Sequence, residues 1–150
     1  MKTALAAVLA ALALPAVAAP DACAIVTLDE VNAISTVKAE KVQPQKSGNP
    51  SQCGFMDPRK AAVVVVSVRE VQYAARDEMH YERENLEKIY KMKSKPVDTI
   101  GDGGFWLPAN KQLTFRKGKV IVSVTFAVAK HQNEVDSSQL ARVIEAKLPK

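Results

Sequence analysis

Few residues in this 150-residue sequence have types and spacings that could do chemistry. Cys23 and Cys53 are its only cysteines, and His80 and His131 its only histidines. The single tryptophan, Trp106, ends the glycine-rich run Gly101-Asp102-Gly103-Gly104-Phe105-Trp106. Glycines in that number open backbone conformations closed to other residues and let a partner come close to the main chain. This run is the candidate ligand-binding segment. The competing reading is a tight connector whose Phe105 or Trp106 plugs the core, since glycines and aromatics serve turns and packing more often than sites. Neither a dinucleotide nor a phosphate loop fits, because the glycine spacing differs and no Lys-Ser/Thr follows. His80 and Glu84, one helical turn apart, could share a metal ion, but two ligands do not make a site, so no metal and no cofactor is expected. The Gly-x-Ser-x-Gly elbow of serine hydrolases is missing, and no catalytic residue is assigned. A histidine site assembled in space would put His80 or His131 in a pocket beside a carboxylate.

The cysteines carry a different expectation. Residues 1–18 read as an export signal: Met1-Lys2-Thr3, the apolar run Ala4 to Leu14, Pro15, then the small-x-small pair Ala16 and Ala18, with the cut expected after Ala18. The apolar run is well short of the roughly 20 residues of a membrane span. Asp21 among the residues before Cys23 disfavours lipid attachment there. Export to the periplasm or beyond the cell meets an oxidising compartment, where an even pair of cysteines closes, so a Cys23–Cys53 disulfide is expected. Its spacing is nothing like the Cys-x-x-Cys of redox pairs.

The formal net charge is +5 and aromatics make up 5% of the chain. Lys88, Lys91, Lys93 and Lys95 form the densest basic stretch, but no aromatics interleave with them as a stacking platform requires, so nucleic acid is not an expected partner. Lysines near a helix C-terminus also suit its dipole.

The elements that must position these residues are legible in outline. Residues 19–150 are of one-domain length. Thr27-Leu28-Asp29-Glu30 is a capping box, with Val26 and Val31 as a hydrophobic staple, opening a helix from Leu28 to Ser35 whose Leu28, Val31 and Ile34 face the core. Val42 to Pro50 reads as an edge strand and turn, and Cys53 to Asp57 as a short strand. Ala61 to Val68 reads as a central strand covered on both faces. Tyr73 to Lys93 predicts a charged helix with Ala75, Met79, Leu86, Ile89 and Tyr90 on one side, and Glu84–Lys88 and Glu87–Lys91 pairs toward solvent. Lys111 to Phe115 and Val120 to Val128 predict a hairpin. With Lys117-Gly118 as its turn, Phe115 faces Val120 and Leu113 faces Val122. Thr114, Ser123 and Thr125 take the other face. Asp136 is expected to cap a last helix carrying Leu140, Val143, Ile144 and Leu148. The fold class is therefore α+β: a central antiparallel sheet packed by about three helices.

The segments Ile25-Val-Thr-Leu-Asp-Glu-Val31 after a cysteine, Cys53-Gly-Phe55, Ile100-Gly-Asp-Gly-Gly-Phe-Trp106 and Leu113-Thr-Phe-Arg-Lys-Gly-Lys-Val-Ile-Val-Ser-Val124 resemble small exported bacterial proteins and lipoproteins of unknown function whose fold is similar to PsbP and the Mog proteins. The resemblance implies a sandwich of sheet and helices over nearly all of residues 19–150, and a binding or accessory role with an unidentified protein or small molecule of the cell envelope as partner. It implies no catalytic residues. The sequence departs from the lipoprotein members in lacking their lipid-attachment motif. An exported, non-enzymatic binding protein is the expectation; a cell-envelope hydrolase using a histidine is the alternative. Oligomeric state is not legible.

Overall fold

The computed structural model describes residues 19–127 and 134–149. Residues 1–18, where an export signal is expected, and Val128 and His131 therefore lie outside the described residues. Four helices and seven strands follow in the order α1 (Ala22–Ile25), α2 (Leu28–Ile34), β1 (Lys41–Lys46), β2 (Ser51–Met56), β3 (Ala62–Glu70), α3 (Ala75–Tyr90), β4 (Lys95–Val97), β5 (Gly104–Leu107), β6 (Gln112–Lys117), β7 (Val120–Phe126) and α4 (Glu134–Lys147). The strands form one sheet in the order β1-β2-β3-β7-β6-β5-β4, and every neighbouring pair is antiparallel. The class is α+β, with four helices among the described residues where about three were expected. The additional helix, α1, is a single turn started by the Asp21 carboxylate accepting from the Cys23 amide at 2.9 Å. A helix this short has no periodicity to read.

One face of the sheet carries the main core. Val64, Val66 and Val68 of β3 stand beside Phe126, Val124 and Val122 of β7, and the row continues through Leu113 and Phe115 of β6. Helices α1, α2 and α4 cover this face with Ala22, Val31, Leu140 and Ile144, each fully buried. Burial at about 25 cal/mol per Å² of apolar surface makes this layer the main source of stability. The expected capping box is present: Glu30 accepts from the Thr27 amide at 2.8 Å, and Thr27 Oγ1 from the Glu30 amide at 3.3 Å. Val26 and Val31 are both buried, as the staple requires. Lys147 lies 2.7 Å from Glu30 and joins α4 to α2; its bond and that from the Thr27 amide hold the Glu30 carboxyl below its ordinary range. The Cys23–Cys53 disulfide links α1 to β2, and no described helix is long and apolar enough to cross a membrane.

Expectations for several elements need correction. In the hairpin, Lys117 pairs with Val120, Phe115 with Val122 and Leu113 with Val124. The turn is thus Gly118-Lys119, because the first central position of such a turn demands a positive φ, which Gly118 takes at +58° and lysine disfavours. The slip is two residues, so the side chains keep their faces. Helix α3 is shorter than Tyr73–Lys93, being bounded by left-handed Ala74 (φ 54°) and Lys91 (φ 51°). Asp136 lies in the first turn of α4 rather than at its cap, where the helix dipole still favours an acid. Finally, β3 is covered less completely than expected: Val63, Val64, Val66 and Val68 are buried, whereas Val65, Ser67 and Arg69 are half-buried.

Helix α3 crosses that second face over β5, β6 and β7. Its seat is mixed: Phe105, Leu107 and Ile121 are buried on this face, and a polar network lies beside them. Glu82 accepts from Arg69 Nη2 at 2.6 Å and from Gln112 Nε2 at 3.3 Å, and Gln112 continues to Thr114 at 2.9 Å. Burial pushes the Glu82 carboxyl upward, against the pull of Arg69. The expected apolar stripe of α3 is only half used. Met79 and Leu86 are half-buried, whereas Ile89 is 70% exposed and Tyr90 42%.

Candidate functional site

The glycine-rich run divides. Gly101 to Gly103 form a turn, and Gly104 to Trp106 enter strand β5 between β4 and β6. Gly101 (φ +58°) and Gly103 (φ +102°) occupy backbone regions that L side chains rarely adopt. The turn is held from two sides. Helix α4 reaches it through Glu145, which accepts from the Gly101 amide at 2.9 Å, and through Arg142, which donates to the Thr99 carbonyl and hydroxyl at 3.1 Å each. From the hairpin, Asp102 accepts from the Gly118 amide at 2.7 Å and from Arg116 Nη1 at 3.1 Å, while the Arg116 amide donates to the Gly103 carbonyl at 3.0 Å. A turn pinned at this many points is a rigid wall.

That wall faces α3 across a cleft of about 540 Å³, within the range of ligand pockets. The α3 side supplies Arg76, Met79, His80 and Arg83; the opposite side supplies Pro96, Asp98, Asp102, Gly103, Gly104 and Phe105; Arg116 also lines it. Of the six residues singled out in the sequence, Asp102, Gly103, Gly104 and Phe105 line the cleft. Gly101 packs instead against the Arg116 backbone. Trp106 points to the main core on the other face, 4% exposed and opposite Leu113. Alternation along β5 separates it from its neighbour Phe105.

Composition does not single out the arginines and His80 as a group, although their spacing carries a signal. Positions 76, 80 and 83 recur at helical spacing on one face of α3. Arg116 follows Thr114 in the alternation of β6 and so shares its face. His80 Nε2 lies 3.4 Å from Glu84 Oε1, and Arg83 Nη2 lies 3.2 Å from His80 Nδ1. No three His, Cys, Asp or Glu side chains converge as a metal site among the described residues. Along the lysine stretch, Lys93 is bound by Glu87 at 2.9 Å and Lys95 by Glu134 at 3.3 Å.

Glu87 orients the chain from α3 into β4 and thus helps place Pro96 and Asp98. In place of the expected Lys91 it meets Ser94, accepting from its hydroxyl at 2.6 Å and its amide at 3.0 Å, because the helix has already ended. The Ser94 hydroxyl first, then Lys93, hold the Glu87 carboxyl down at about 2, against an ordinary value of 4.5. The charged form therefore supports the fold fully above that ordinary value, and the support fades as pH falls toward 2. Glu87→Gln should lower the thermal midpoint at neutral pH, and the gap to wild type should close on acidification through that window. A gap that stays constant with pH would show that the carboxylate charge is not involved.

No protein-family model matches the chain, and a search of curated proteins finds no match.

Proposed function

We propose that this protein is an exported, non-enzymatic binding or accessory protein that takes its ligand in the cleft between α3 and the Gly103–Phe105 wall. The observation that carries this reading is the cleft itself: a rigid turn pinned by α4 and the hairpin, facing a helix that presents four polar or flexible side chains to it. Guanidinium, imidazole and carboxylate groups with Met79 and Phe105 make a lining suited to recognition, since a few placed polar groups orient a ligand against apolar walls. The Cys23–Cys53 disulfide fits an oxidising periplasmic or extracellular location. A sheet covered by helices on both faces is what a relationship to the PsbP and Mog proteins would imply, and we keep that relationship as part of the proposal.

The alternative is a cell-envelope hydrolase built on His80, which lines the same cleft as Asp98 and Asp102. Both ring nitrogens of His80 already face protein groups, Arg83 on one side and Glu84 on the other. A general base needs a nitrogen free to take a proton from the nucleophile. Binding is therefore the better supported reading.

Titrating fractionated cell-envelope extract into ¹⁵N-labelled protein tests the proposal. Amide shifts should concentrate at Gly103, Gly104 and Phe105. Shifts elsewhere, or none with any fraction, would remove the cleft from consideration.

A further inference from the structure

Three guanidinium groups line the cleft, and of these three only Arg116 has a carboxylate partner among the described residues, Asp102. Arg76 and Arg83 lie two turns apart on the same face of α3, about 10 Å along the axis. Contact with His80 Nδ1 orients the Arg83 guanidinium. The Nε atoms of Arg83 and Arg116 are buried with no hydrogen-bond partner. A buried donor on a cation is costly to leave unmatched, so both groups favour an incoming acceptor that lets them rearrange by a small movement. Asp98 stands exposed on the same lining. Three arginines against two aspartates leave a charge of +1, which suits a small anion and not a polyanion.

Resting on the reading of the cleft as the ligand site, we infer that it takes a small ligand by an oxyanion group, a carboxylate or a phosphoryl, held by Arg76 and Arg83 with Arg116 behind them. The planar fork of a guanidinium matches two oxygens of such a group at once. His80, accepting from Arg83 at Nδ1, acts as a positioning residue for that fork.

Inorganic phosphate and succinate are the probes, titrated at low ionic strength into ¹⁵N-labelled full-length protein, with sodium chloride at matched ionic strength as control. Saturable shifts are expected at Gly103 and Gly104 and at the Arg83 side-chain Nε–H. Saturation by phosphate alone assigns a phosphoryl ligand, and by succinate alone a carboxylate. Arg83→Gln and Arg76→Gln should each weaken binding about tenfold, the scale of one charged hydrogen bond. Arg59→Gln, at the connection between β2 and β3 and outside the cleft lining, should bind as wild type. Arg76 is exposed, so its variant tests the idea even if Arg83→Gln perturbs folding. Wild-type affinity in the Arg76 variant, no saturation with either anion, or the same shifts with chloride overturns the inference. If extract shifts Gly103 and Gly104 while neither anion does, the cleft remains the binding site and the oxyanion assignment alone fails.

Discussion

Gly104→Ala should destabilise the protein by about 3 kcal/mol, at the upper end of what one added methyl in a packed interior costs. Gly104 sits in β5 opposite Phe115 of β6. A Cβ there would strike the Thr114 carbonyl oxygen, lie 2.8 Å from Phe115 Cα and 3.0 Å from Phe115 Cβ. The obstacle is mostly the backbone of a strand paired on both sides, so no side chain can rotate away. Either β5 separates from β6 or the strand shifts, and both disturb the wall of the cleft. Gly118→Ala is the informative contrast. Its Cβ would meet nothing within 4 Å, and only the positive φ of +58° opposes it, at roughly 1 kcal/mol. Urea denaturation of the two variants measures the difference. Equal losses would mean that β5 yields and that Gly104 is not there for close approach.

Removing the disulfide is the other large effect. Cys23 and Cys53 are 30 residues apart in sequence, and closing a loop of that length restricts the unfolded chain by about 3–4 kcal/mol. Reductant should lower the unfolding free energy of wild type by that order, and Cys23→Ser/Cys53→Ser should lower it further. Cys53 is fully buried in β2 and Cys23 packs against the core, so part of the loss will be packing. The double alanine variant separates the parts, because it leaves no hydroxyl in the apolar layer. A reduced wild type as stable as the oxidised form would show that α1 is held by its own contacts, among them the Ala22 amide to Ser51 Oγ bond at 2.9 Å.

Relations between near neighbours are legible in the sequence. The capping box at Thr27 and Glu30, the staple of Val26 and Val31, the faces of β6 and β7 and the edge position of Pro44 each depend on residues a few positions apart. Errors arose where a distant element intervened. Periodicity puts Ile89 and Tyr90 on the apolar side of α3, but both are exposed, and Glu82, through Arg69 and Gln112, helps seat the helix. Glu87 was matched to Lys91 by spacing, but a left-handed residue at 91 ended the helix and gave the carboxylate to Ser94. The glycine run drew notice for its composition, yet only the sheet register shows that Phe105 faces the cleft and Trp106 the main core.

The residue order by itself determined the α+β class, the pairing of the only two cysteines and which hairpin side chains share a face, because turn chemistry and periods of 2 and 3.6 are local properties. Only the tertiary structure decided that α3 crosses the second face of the sheet and brings Arg76, His80 and Arg83 opposite Asp102 and Gly103. Periodicity states which side chains stand together on an element; it carries no information on which remote surface that element will meet.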